Sequence, residues 1–327
     1  MKALVRAESW PIRGGFRIAR GRRASAEVVV LELVDGADTG RGECVPYDRY
    51  GESIDSVRAE IEAACQDLQE SNGLERLAAL RPGAARNAID CSLWELKAKR
   101  ARTDVWRLAG LESAPQPVQS MRTVSVDSAA NMATAAAELA RAPVIKVKVD
   151  GGKDLERIAA VHGAAPDSGL VVDANEAWSE QQLEAWLPRL PQLGVVLLEQ
   201  PLAAGEDSAL EGLDRVVPIC ADESFHDRSS FLEVLDRYDV VNIKLDKTGG
   251  LSEALHCQRE AKRLGLQIML GCMVSTSLAI EPALLLASNA DYIDLDGPLL
   301  LERDREGALH ERDAGLLRPS GSIWGAR

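Results

Sequence analysis

From residue 118 onward the chain repeats one unit: a short apolar, β-branched run, a polar or glycine-containing turn, then an amphipathic stretch rich in Ala, Leu and Glu. The runs that read as strands are 118–124, 144–149, 170–173, 194–199, 218–222, 240–245, 267–271 and 292–296, spaced by 22 to 27 residues. Several, such as VVLLE and VIKVKV, are nearly continuous in apolar residues. That is the pattern of parallel strands covered on both faces by helices. The segments 127–141, 153–164, 179–190, 229–236 and 251–264 carry apolar residues at helical spacing. Strand and helix alternating at this period predict an α/β fold with a TIM-like barrel of about 200 residues. A doubly wound sheet is the structural alternative.

The first 115 residues lack this rhythm. Residues 26–33, AEVVVLEL, read as a strand, and 53–70 and 84–100 as helices. The expected organisation is an α+β domain over 1–115, ended by Pro115 and Pro117, and a barrel over 116–300. The last segment, 301–327, is too short for a domain and is expected to pack back on the first one.

The chain carries 38 Lys+Arg against 51 Asp+Glu, a net charge of -13, which argues against a nucleic-acid surface. Its six cysteines show no CxxC spacing, so they predict neither a thiolate metal site nor a disulfide framework. With no signal-like leader and no apolar run of about 18 residues, the expectation is a cytoplasmic protein with no membrane partner. Oligomeric state is not legible.

In a barrel of this kind the active site lies at the C-terminal ends of the strands. The charged residues that interrupt or close the runs are Lys146 and Lys148, Asp173, Glu199, Asp222, Lys244, and Asp294 with Asp296. A charge in an apolar run is costly to bury unless paired or metal-bound, and scattered surface charge would not select the same end of consecutive strands. Asp173, Glu199 and Asp222 close three successive strands, 26 and 23 residues apart. Adjacent strands lie about 4.8 Å apart, so the three carboxylates can converge, and their repulsion calls for a cation. An oxygen-preferring divalent ion, Mg²⁺ above all, fits that donor set, while none of the four histidines closes a strand in the manner of a zinc ligand. Lys146 and Lys148 are two apart and face the barrel interior, with Lys244 across from them on the sixth strand. Two ammonium groups addressing a substrate from opposite faces suit removal of a proton from one side of a carbon and its return to the other. A lysine beside another cation and partly desolvated is expected to have a depressed pKa.

These residues, with the stretches IKVKVD, VVDANEAW, LLEQPL, ICADES, VVNIKLDKTGGL and MLGCMVSTS, resemble the enolase superfamily in its muconate-lactonizing-enzyme-like branch, and within it the L-Ala-D/L-Glu dipeptide epimerases. The resemblance runs over nearly the whole chain. It implies a (β/α)7β barrel under an N-terminal α+β capping domain, with Mg²⁺ on Asp173, Glu199 and Asp222. It further implies Lys148 and Lys244 as the acid/base pair of a 1,1-proton transfer through an enediolate, as is general for such Lys-and-Mg²⁺ sites. Lys146 would contact the substrate carboxylate and depress Lys148.

The seventh-strand segment MLGCM has no His, which sets aside the His-base branch. Asp294-Leu295-Asp296 matches the DxD that holds a dipeptide's free ammonium, and Arg20 the loop position that meets a distal carboxylate, with Arg17, Arg22 and Arg23 as competitors. Ser275 departs from the Glu of many relatives. The activity implied is epimerisation of a small-molecule dipeptide in murein peptide metabolism. The alternatives are N-acylamino acid racemase, o-succinylbenzoate synthase, muconate cycloisomerase, or a barrel that only binds.

Overall fold

The computed structural model describes residues 1–70, 77, 80–312, 315–319 and 323–325. The chain opens with three antiparallel strands, β1 (Lys2–Ile18), β2 (Gly21–Asp35) and β3 (Asp38–Cys44), followed by helices α1 (Ile54–Glu70) and α2 (Ala84–Arg100). The single strand expected over 26–33 is the buried centre of β2. Its companions were not legible because β1 keeps most of its side chains exposed or half-exposed and shows no clean alternation. β3 lies directly on α2: a Cβ on Gly42 would come within 2.1 Å of the Ala88 carbonyl oxygen, so only glycine permits the contact.

Eight parallel strands follow, in the spatial order of the chain: β5 (Arg122–Val124), β6 (Val144–Lys148), β7 (Gly169–Asp173), β8 (Val195–Glu199), β9 (Ile219–Ala221), β10 (Val240–Ile243), β11 (Gln267–Gly271) and β12 (Tyr292–Asp294). The Met121 amide donates to the Ile293 carbonyl at 2.8 Å and brings the last strand to the first. The run expected as one strand over 118–124 is two. Its first part, β4 (Val118–Gln119), pairs with the tail strand β14 (Leu316–Arg318), itself paired with β13 (His310–Arg312), instead of joining the barrel.

Helices cover the barrel, among them α3 (Glu180–Trp186), opened by a Ser179/Gln182 capping box, and α4 (Leu251–Leu264), closed by Gly265 in the left-handed conformation. The helix expected over 229–236 is shorter, Phe231–Val234 after one 3-10 turn. Outward side chains such as Ile145, Val172, Leu198, Ile243 and Leu270 meet this helical layer in one apolar core.

Inward positions form layers, because side chains alternate along each strand. The floor is Met121, Val171, Leu197, Cys220, Val240 and Met269. The same strands' inward residues two positions on include Asp173, Glu199, Asp222 and Asn242, all buried. β11 contributes Gly271 at this level, where a Cβ would lie 2.3 Å from the Asn242 amide oxygen. The interior thus changes from apolar to ionic within one layer.

The tail returns to the N-terminal domain. Arg305 donates to Glu8 and Glu43, and the Trp324 indole to the Arg41 carbonyl at 2.9 Å.

Candidate active site

A cavity of about 430 Å³ opens over the C-terminal ends of the strands. Lys146, Lys148, Asp222, Lys244, Asp294 and Asp296 line its barrel side, and Arg20, Arg22, Arg23, Tyr47 and Tyr50 its N-terminal side. Asp173 and Glu199 lie fully buried beside them. Register accounts for this: Lys148 pairs with Asp173, and Asp173 with Glu199, on successive strands.

The centre is a balanced set of ions. Lys146 Nζ lies 3.1 Å from Asp173, 2.6 Å from Glu199 and 2.6 Å from Asp294. Lys148 also holds Asp173. Lys244 Nζ reaches Asp222 Oδ2 at 2.7 Å, and Lys247 reaches Asp222 Oδ1 and its carbonyl oxygen at 2.6 Å each. β6 and β10 are four strands apart in a ring of eight, so Lys148 and Lys244 face each other across the site.

Burial would lower the Lys146 pKa, but Asp294, Glu199 and Asp173 outweigh it and hold the ammonium well above its ordinary value. For Lys244 burial acts the same way, and Asp222 together with Glu199 and Tyr50 outweighs both it and the cationic Lys146, so its pKa too stands well above the ordinary value. The depressed lysine expected from a neighbouring cation is therefore not found at Lys244, because the carboxylate is in direct contact. Burial disfavours Asp222 as an anion, yet Lys244, Lys247 and Lys146 hold its carboxyl well below the usual range.

Among the described residues no group of three metal-ligating side chains stands ready as a cage, since lysines lie between the carboxylates. The donor set nonetheless fits a hard divalent ion. Asp173, Glu199 and Asp222 are buried oxygen donors on adjacent strands. Glu199 Oε2, though near Lys146, accepts no properly directed hydrogen bond. Burial and then Asp173 push the Glu199 carboxyl up to about 7, the mark of an acid short of positive charge.

Asp294 and Asp296 both line the cavity, but not as two inward residues of one strand: β12 ends at Asp294, and Asp296 sits at φ -83°, ψ 4°. Asp296 accepts from the Thr123 amide at 2.7 Å and its hydroxyl at 3.2 Å. Burial and then Asp294 push the Asp296 carboxyl up to about 6.

Arg20 reaches the cavity already engaged. Its guanidinium donates to Glu223 at 2.6 Å, Glu176 at 3.1 Å, the Asn175 carbonyl at 3.0 Å and the Tyr47 hydroxyl at 3.2 Å. Arg23 stacks over the Tyr47 ring, and Arg22 donates to the Gly14 carbonyl. Arg17 does not line the cavity. Nor does Ser275, whose hydroxyl turns to the Met273 carbonyl; Cys272, Met273 and Val274 present the seventh-strand loop instead.

Sequence reasoning missed Asn242, whose amide donates to Glu199 at 2.9 Å, and also Thr123, Lys247 and Glu223. Asn242 and Thr123 are uncharged and vanish into apolar runs. Lys247 was visible three residues after Lys244, but its position in the following helical turn gave no sign of its target.

Two family models match the chain: "Mandelate racemase / muconate lactonizing enzyme, N-terminal domain" over residues 1–110, and "Enolase C-terminal domain-like" over 128–317. The L-Ala-D/L-Glu epimerase of Escherichia coli is 47% identical over 92% of this chain and 95% of its own length. The N-acetyl-D-glutamate racemase of Pseudoalteromonas is 41% identical over 91% of this chain and 95% of its own. A solved enolase family member from Agrobacterium tumefaciens with homology to dipeptide epimerases, holding sodium and L-Ala-L-Glu, superposes with a TM-score of 0.96 at 43% identity, covering 99% of each chain.

Proposed function

The chain belongs to the enolase superfamily, and from that membership we propose that it epimerises an L-Ala-D/L-Glu-type dipeptide, in murein peptide metabolism, by moving one proton between Lys148 and Lys244. It is an isomerase, an epimerase, and its cofactor is Mg²⁺. The observation that carries the reading is the placement of two buried lysines on opposite sides of a site that also holds three strand-end carboxylates.

Asp173, Glu199 and Asp222 are the residues that hold the ion. When bound, it supplies fixed positive charge where the substrate carboxylate gains electron density. Lys146, fully buried among carboxylates, stays protonated and orients the same carboxylate. Asp294 and Asp296 receive the dipeptide's ammonium. One of Lys148 and Lys244, according to the starting configuration, takes the α-proton of the C-terminal residue; the enediolate so formed is protonated on its other face by the second lysine. Arg20 meets a distal carboxylate, in competition with Glu223 and Glu176.

Lys148→Ala and Lys244→Ala should each abolish epimerisation in both directions, and turnover in D₂O should place deuterium on the α-carbon. Product free of deuterium would rule out the two-lysine scheme. The likeness to an N-acetyl-D-glutamate racemase favours one second reading, racemisation of an N-acylated acidic amino acid. Parallel assays of L-Ala-L-Glu and N-acetylglutamate separate them, since only the former brings an ammonium to Asp294 and Asp296.

A further inference from the structure

Between β8 and β9 the backbone ladder stops before it reaches the last carboxylate. Leu198 and Glu199 pair with Ile219 and Cys220, and the Gln200 amide donates to the Cys220 carbonyl at 2.9 Å. Gln200 then turns away with φ +37°, a left-handed conformation that a side chain disfavours. The Asp222 amide is left without a strand carbonyl opposite it.

The Gln200 side chain fills that gap. Its Oε1 accepts from the Asp222 amide at 2.9 Å and the Ser224 amide at 3.0 Å. Its Nε2 lies 2.9 Å from the Leu202 carbonyl, the Ser224 hydroxyl and the Tyr238 hydroxyl, so one of its two hydrogens goes to the carbonyl and the hydroxyls share the other. The amide admits only this orientation, because the reverse would set NH₂ against two N–H donors and its oxygen against a carbonyl.

Both hydroxyls pass the chain on to buried Asp207, Ser224 at 2.6 Å and Tyr238 at 2.5 Å, and Arg237 neutralises Asp207 at 2.9 Å. Nε2 only donates and the carboxylate only accepts, and the two hydroxyls, 3.1 Å apart, link Gln200 to Asp207. Such networks reinforce their members. Gln200 is fully buried and does not line the cavity.

We propose that Gln200 is a positioning residue for the divalent ion: anchored through Tyr238 and Asp207, its amide sets where the Asp222 carboxylate stands relative to Glu199. The inference rests on the ion site proposed above and extends it to a residue that touches neither ion nor substrate.

The test is Mn²⁺ binding, read by electron paramagnetic resonance, on the full chain. Groups behind metal ligands typically contribute about 10–100-fold to metal affinity. Gln200→Met should therefore raise the Mn²⁺ Kd about tenfold or more and lower kcat further than it raises KM. A packing control, Ile158→Val in the helical layer, should lower Tm and leave the Kd unchanged. If Gln200→Met does not fold, Gln200→Asn carries the same test, its amide one methylene short of the Asp222 N–H. A folded variant of either kind with wild-type Mn²⁺ affinity would overturn the proposal, as would an equal loss in the packing control. Wild-type protein that binds no Mn²⁺ would remove the ion site itself, and this inference with it.

Discussion

Lys146 Nζ sits 2.6 Å from Asp294 Oδ2, so the first lysine of β6 and the first carboxylate of the DxD segment satisfy each other before any substrate arrives. Under the proposed reading, a dipeptide ammonium would share Asp294 with a cation already present and would draw on Asp296 as well. Lys146 retains Glu199 and Asp173 whatever happens at Asp294.

Asp294→Asn should consequently leave the barrel folded and act mainly on dipeptide binding. A charge-assisted hydrogen bond contributes about 1.5–3 kcal/mol, which is roughly 10- to 150-fold in kcat/KM. The loss should be confined to substrates with a free ammonium. Steady-state kinetics on L-Ala-L-Glu and on N-acetylglutamate checks it; equal losses on both would contradict ammonium recognition.

Arg20 holds Glu223, whose side chain is 1% exposed, so removing the guanidinium strands a buried carboxylate; under the proposed reading a substrate's distal acid would lose its partner too. Arg20→Met should cost stability by about 1–3 kcal/mol in denaturant unfolding. It should also raise KM for L-Ala-L-Glu more than for L-Ala-L-Leu. A KM change equal for both substrates would confine Arg20 to structure.

Asp246 supplies a pH test away from the ion site. It is buried between the two domains, where its Oδ1 accepts from the Val45 amide at 3.0 Å and the Asn87 amide at 2.8 Å. Burial outweighs those bonds and pushes its carboxyl up to about 7 from an ordinary value of 3.8. The folded state thus keeps a proton that the unfolded chain releases. This group's stabilising contribution is complete below about pH 4, falls as pH rises and is gone above about pH 7. The loss is at most on the order of 4 kcal/mol. Asp246→Asn should remove the dependence: its unfolding free energy relative to wild type should climb from pH 4 to 7 and level off above. A flat difference would show that Asp246 titrates normally.

How far the residues announced this site depends on their chemistry. Asp173, Glu199, Asp222 and Lys244 were legible because a charge ending an apolar run has few bland explanations, and period-two alternation says which way it points. Asp296 was assigned to the right cavity for an incomplete reason, since the strand ends two residues earlier. Gln200 and Asn242 were not legible: an uncharged amide in an apolar run carries no cost that marks it, and its value lies in partners 22 to 43 positions away. The only hint at Gln200 was its own polar side chain directly after Glu199, just before Pro201. In the first domain, β1 was hidden by its exposure.

Chelation distinguishes an ion that acts in chemistry from one that holds the fold together. Lys146, Lys148, Lys244 and Lys247 already pair with Asp173, Glu199, Asp222 and Asp294, so the chain should fold without the ion even though Glu199 is left short of positive charge. Treatment with EDTA should abolish epimerisation, and added Mg²⁺ should restore it. Stability should change only by the binding linkage, about 2.7 kcal/mol between zero ligand and one hundred times Kd. Thermal unfolding across a Mg²⁺ titration measures this. A chain that unfolds on chelation would show instead that the ammonium groups cannot substitute for the ion, and that the carboxylate set is a structural metal centre.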